Sequence, residues 1–211
     1  MIDRRITFAA VCLLATVVAA QTAVGKLPNS EQIEAGTMPC PTTHPADSRV
    51  LREGIIPGSP RCHYRIRLLP VSSFPQLPAV VAKDLGARGC MIPQTYEAGG
   101  PENVIHGSFE EPGSDDWAAL CSVRSVTTLY VFFQSDLSHP IALRHQQDNK
   151  WLGVEPSFAY GSAWGIFTVP ARAMPRTYEM DHDGIEDALV EQSSVIHYYK
   201  HGHWTTLEGD D

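Results

Sequence analysis

The chain has 211 residues, a net charge of −8, 43% hydrophobic residues, 16 prolines, 16 glycines and five cysteines. That length suits one domain with a real core plus a tail. The acidic balance disfavours nucleic acid and anionic membrane surfaces as partners, and it tolerates cations.

Residues 1–20 read as a secretory signal peptide. Arg4 and Arg5 form a charged start, Ile6 to Val17 an apolar segment, and Val18-Ala19-Ala20 a small-residue cleavage site before Gln21. The apolar segment is short for a membrane span. Cys12 lies inside it among apolar neighbours, so a lipid-attachment role is disfavoured. No other stretch approaches spanning length. The expectation is a soluble exported protein, periplasmic or extracellular, with no membrane span after cleavage. Cleavage removes one acid and two bases, which makes the remainder more acidic still.

Four cysteines then remain: Cys40, Cys62, Cys90 and Cys121. An even number in an exported chain predicts two disulfides. Three pairings are possible; Cys40–Cys62 and Cys90–Cys121 are favoured because each pair sits within one composition block, each bond being worth about 3–4 kcal/mol by loop closure. No CxxC or clustered Cys/His spacing supports zinc.

Residues 21–65, rich in Pro, Ser, Thr and Gly, read as an extended arm. Residues 66–211 read as one β-rich domain. Arg65 to Val71 suggests a short strand. Leu77, Val80, Val81 and Leu85 have helical spacing and Gly89 can end the run, so a helix is expected over about 77–87. Short β-branched and aromatic runs follow: Asn103–His106, Trp117–Val123, Val126–Gln134, Ile141–His145, Trp151–Val154 and Gly165–Val169. Asp148-Asn149-Lys150 reads as a hairpin turn between Ile141–His145 and Trp151–Val154. Ala188 to Tyr199 reads as strand, break at Ser193-Ser194, strand. Val195–Tyr199 and Trp204–Leu207 form a closing hairpin around His201-Gly202. This spacing predicts a mainly β body, of propeller-like hairpins or a small β-sandwich, with one packed α-helix.

The pattern richest in chemistry is Glu179-Met180-Asp181-His182-Asp183-Gly184-Ile185-Glu186-Asp187, followed by Ala188-Leu189-Val190. Alternating acids in a sharply turning loop supply the converging oxygens that calcium requires, and a glycine lets the chain bend. The expected ligands are Glu179, Asp181, Asp183, Asp187 and the Ile185 carbonyl, with His182 facing solvent. Position twelve is Val190 rather than a bidentate Glu, so the loop is not an EF-hand. A plain polar turn explains the same residues.

The segment Gly107 to Ala119 lies over Tyr178 to Val190 without gaps, matching Gly113 to Gly184, Asp116 to Asp187 and Glu110 to Asp181. Both segments resemble the FG-GAP (integrin-type, VCBS-like) repeat, G-D-F-D-x-D-G-x-x-D-L-A-V. That resemblance implies a calcium loop feeding a strand of a propeller blade. The first copy has Ser108 and Pro112 where acids would stand, so it reads as a metal-free structural copy. Two motifs fall short of the about four blades of a closed propeller. The stretch from about Phe74 onward also resembles exported bacterial proteins carrying G-C-x-I-P-Q, N-V-I-x-G-x-F and D-H-D-G-I-x-D. Here these are Gly89–Gln94, Asn103–Phe109 and Asp181–Asp187.

Other groups carry weaker signals. Gly161-Ser162-Ala163-Trp164-Gly165 lacks the spacing of a nucleophile elbow and reads as a turn. His201-Gly202-His203 lacks further metal ligands in sequence. Glu110, Glu111, Asp115 and Asp116 offer paired carboxylates for a polymer-acting hydrolase. The tryptophans could stack on sugars, although packing is their commoner use. The leading expectation is an exported non-enzymatic protein with a calcium-stabilised loop and a binding or scaffolding role. Its partner would be an extracytoplasmic protein or a glycan. The alternatives are that hydrolase, and an inhibitor or adhesion module docking a protein by strand addition.

Overall fold

The computed structural model describes residues 51–57, 59–154 and 160–209. The expected signal peptide, most of the expected arm and Cys40 lie outside them. Within them the chain is mainly β, with one α-helix and two sheets, neither of them closed.

The strands in chain order are β1 (Leu51–Ile56), β2 (Ser59–Pro70), β3 (Met91–Pro93), β4 (Val104–Gly107), β5 (Asp116–Val123), β6 (Val126–Phe132), β7 (Ile141–Gln147), β8 (Leu152–Val154), β9 (Tyr160–Ser162), β10 (Trp164–Val169), β11 (Gly184–Leu189), β12 (Ser193–Lys200) and β13 (His203–Glu208). The helix α1 (Ala79–Arg88) lies between β2 and β3. The larger sheet has the order β7-β6-β5-β3-β2-β9-β8, with β1 paired to β2 and β4 to β5. The smaller sheet is the antiparallel run β10-β11-β12-β13.

Side-chain alternation along β5 decides how the layers stack, because successive residues of a strand face opposite ways. Trp117, Ala119 and Cys121 join Val81 and Leu85 of α1, with Phe74 and Ile92, in one core. Ala118 and Leu120 join Leu129 and Val131 of β6 in a second core, which meets Trp164, Ile166 and Ile185 of the smaller sheet. The helix therefore covers one face of the larger sheet and the smaller sheet covers the other. A third cluster, around Tyr64, Ile66, Leu68 and Tyr160, lies under the β1–β2 end.

The helix begins at Ala79, two residues later than expected, because Pro78 is its N-cap. Gly89 ends it in the left-handed region at φ 74°. The next residue, Cys90, is disulfide-bonded to Cys121 of β5, the pairing expected. Cys62 is also disulfide-bonded.

Four expectations need correction. The β-rich body begins before residue 66, since β1 and β2 are already a paired hairpin that places Ile56 and Ile66 in the third cluster. Asp148–Lys150 is not a hairpin turn: β7 pairs with β6, and β8 pairs with β9. The physical reason is the Asp148 side chain, which is buried and accepts hydrogen bonds from Thr127 Oγ1 at 2.7 Å, Ser122 Oγ at 3.0 Å and the Arg52 guanidinium. Ser193 and Ser194 belong to β12, and the break falls at Val190–Gln192, where Glu191 has φ 61°. Gly161 and Ser162 end β9 rather than forming a turn. Gly161 pairs with Gly153 of β8, and a Cβ on Gly153 would stand 2.6 Å from the Tyr96 ring. Gly153 seats that ring, and a Cβ on Gly161 would stand 2.9 Å from the Cβ of Tyr96.

Candidate functional site

The acidic segment 179–187 runs into β11, an inner strand of the smaller sheet. Its five expected ligands have separate surroundings. Glu179 is exposed in the left-handed region at φ 50°, and its carbonyl accepts from Lys200 Nζ at 3.0 Å. Asp181 Oδ1 accepts from the Tyr198 hydroxyl at 2.8 Å and from His182 Nδ1 at 2.6 Å. These bonds, from Tyr198 first and then His182, hold the Asp181 carboxyl below the usual aspartate range. Asp183 Oδ2 accepts from the Ser108 amide at 3.1 Å, and the Asp183 amide donates to the Ser108 carbonyl at 2.9 Å. Ile185 is wholly buried, and its main chain runs between Thr168 of β10 and His197 of β12.

Asp187 is the most buried of the four carboxylates. Its side chain has no exposed surface. Oδ1 accepts from Trp164 Nε1 at 2.7 Å, and Oδ2 accepts from Arg144 Nη1 at 2.9 Å and His197 Nε2 at 3.0 Å. Arg144 reaches across from β7 of the other sheet. Its guanidinium lies 4.5 Å from the centre of the Trp151 ring and 5.9 Å from that of Trp164, and the two indoles stack 4.9 Å apart. A cation over indole faces gains electrostatically while its stem stays packed. Burial pulls the Asp187 carboxyl upward. The His197 bond and the Arg144 charge outweigh burial and leave it below the ordinary aspartate value.

The segment therefore does not gather its carboxylates at one point, and a guanidinium already stands on Asp187. Among the described residues no group of three or more His, Cys, Asp or Glu side chains is placed to hold a metal ion. His182 does not face solvent: its side chain is 4% exposed, and Nε2 donates to the Tyr199 carbonyl at 2.7 Å.

The other acidic segment behaves differently. Asp116 is fully buried. Oδ2 accepts from the amides of Phe109 and Glu110, both at 2.7 Å, and from the Ser114 hydroxyl, while Oδ1 accepts from the Gln134 amide at 2.7 Å. Its neighbours have partners of their own: Glu110 with Ser135 at 2.8 Å, and Asp115 with His106. Asp116 is a knot for the main chain around it. The gapless overlay of the two segments is not matched in local structure. Gly184 opens β11, whereas Gly113 lies before β5 at φ 83°.

Several structural residues went unassigned in the sequence. Asn103 is buried in the left-handed region at φ 66°, which asparagine tolerates better than most residues. Its Nδ2 donates to the carbonyls of Pro93 at 2.8 Å and Trp164 at 3.0 Å, and its Oδ1 accepts from the Ile166 amide at 2.9 Å. One side chain thus bolts β3 to β10 across the two sheets. Gln94 Nε2 donates to the carbonyls of Ile92, Pro93 and Glu102, and its Oε1 accepts from the Glu102 amide at 2.8 Å. Both residues stand in motifs visible in the sequence, but nothing there signalled their partners. Trp117 and Trp164 are core residues, 9% and 2% exposed, rather than open stacking platforms.

Comparison with protein-family models, curated proteins and solved structures gives no match. The FG-GAP resemblance accordingly rests on its short motifs alone.

Proposed function

We propose that the chain is an exported, non-enzymatic binding or scaffolding domain whose acidic clusters act as struts. The observation that most supports this is the bonding of Asp187. Its charge is answered by a side-chain cation stacked on two indoles, and its two oxygens hold partners from both sheets. In this reading Arg144 supplies the positive charge that calcium supplies in loops of similar pattern, and the last three strands need no ion. The disulfide at Cys90–Cys121 favours an oxidising compartment, periplasmic or extracellular. Two facing sheets with an outer helix favour a small sandwich over propeller blades. An extracytoplasmic protein or a glycan is the expected class of partner, since the acidic balance disfavours nucleic acid.

The test is thermal unfolding of the mature chain in EDTA and in millimolar calcium. Equal melting temperatures support the reading. A rise with calcium that Asp183→Ala abolishes would restore the metal loop. Mass spectrometry of the exported protein should give an N-terminus at Gln21 and no free thiol.

A further inference from the structure

Four arginines among the described residues are half-buried: Arg52, Arg65, Arg67 and Arg144. Three of them meet a carboxylate, Arg52 on Asp148, Arg65 on Glu53 at 2.8 Å and Arg144 on Asp187 at 2.9 Å. Arg67 does not. Its Nη2 donates to the carbonyls of Thr95 at 3.2 Å and Ala98 at 2.8 Å, which fixes the guanidinium in place, and among the described residues Nε and Nη1 have no acceptor. The same side chain lines a cavity of about 280 Å³ whose other walls are Leu69, Gln94 and the stretch Ala98–Pro101. That volume is near the small end of ligand cavities, about 300–1,000 Å³.

The cavity is unusual for this chain in its charge. Asp and Glu outnumber Lys and Arg by 24 to 16 over the whole chain, yet no acidic side chain lines these walls. The nearby Glu102 carboxylate is turned to Thr95 Oγ1 at 2.8 Å. Gln94 is bonded to main chain at both ends of its amide, so it is a rigid wall rather than a spare donor. Leu69, 6% exposed, gives an apolar floor. Gly99 and Gly100 leave open space where side chains would begin. A half-buried guanidinium with no counter-charge and free donors is electrostatically incomplete, and an anion completes it through a charge-assisted hydrogen bond.

We propose that this cavity takes a small organic carboxylate, with its charged end on Arg67 and a short apolar body over Leu69. The proposal goes beyond the binding role given above, whose expected partner is a protein or a glycan.

The experiment is amide and Arg Nε chemical-shift titration of the mature chain with butyrate and benzoate, against butyramide and sulfate. The expected result is saturable shifts at Ala98, Gly99, Gly100 and Arg67 for the carboxylates, at least tenfold tighter than for butyramide or sulfate. Arg67→Met should abolish them. Gly100→Leu should weaken binding at least tenfold at unchanged melting temperature, because its Cβ meets nothing within 4 Å. No carboxylate binding at 10 mM, equal binding of butyramide or sulfate, or unaltered binding by Arg67→Met would overturn the proposal. If Arg67→Met does not fold, unaltered binding by Gly100→Leu overturns it alone. The calcium and thiol measurements are independent of these titrations, so a failure here is distinguishable from a failure of the wider reading.

Discussion

Asp116 and Asp187 fall on each other when the two acidic segments are aligned, and both are buried carboxylates, yet they are held in opposite ways. Asp116 is gripped mainly by main-chain amides, two of them within seven residues of it, with Gln134 completing the set. Asp187 is gripped by side chains alone, from β7, β10 and β12. The first arrangement ties a loop to itself and to the next turn. The second ties two sheets together and depends on a residue 43 positions away. A shared sequence pattern thus does not imply a shared device: what the pattern secures is a carboxylate, and the surroundings decide its use.

The largest expected effect separates the two directly. Asp187→Ala takes the acceptor away from the half-buried Arg144 guanidinium and from the His197 and Trp164 donors, and should cost about 3–5 kcal/mol in urea unfolding. Asp116→Ala should cost less, about 2–3 kcal/mol, because the donors it frees are neutral amides and a hydroxyl rather than a charged guanidinium. A comparable or larger loss at Asp116 would reverse the ranking. A double-mutant cycle sharpens the contrast further. Arg144→Met combined with Asp187→Leu should recover much of the single losses, with a coupling of about 1–3 kcal/mol. Arg144→Met combined with Asp116→Ala should be additive.

The smallest effect is in acid. Asp187 titrates below its ordinary value when folded, so its contribution to stability is complete above the unfolded pKa of about 3.9 and fades as pH falls through the lower folded value. Asp187→Asn should therefore flatten the loss of stability between about pH 5 and 2, relative to the wild type. An unchanged slope would mean that other carboxylates govern the acid limb.

The readable parts of the fold were those written locally. The α1 helix follows from the spacing of Val81 and Leu85 and from Gly89. The β5–β6 hairpin follows from β-branched and aromatic runs, and the β12–β13 hairpin from His201-Gly202, both at positive φ. Cys90–Cys121 followed from the two cysteines sharing one composition block. The unreadable parts depend on distant partners. The strands β3 and β9 have three residues each, too few to show a period. Asp148 looks like a turn residue until Ser122, Thr127 and Arg52 are brought around it. The acidic segment was visible as a cluster, but its use was set by Arg144, His197 and Tyr198, none of which stands inside the motif.

One consequence follows from the two-sided burial of β5, whose side chains fill separate interiors on alternate positions. A partition shared by two rooms cannot be taken down for one alone. Loosening the helix exposes Ala119 and Cys121, and peeling away the smaller sheet exposes Ala118 and Leu120, from the same strand. The described body should accordingly lose its structure in a single concerted step, and the amide of Leu120, donated to the Asn103 carbonyl at 3.0 Å, should be among the last to exchange with solvent.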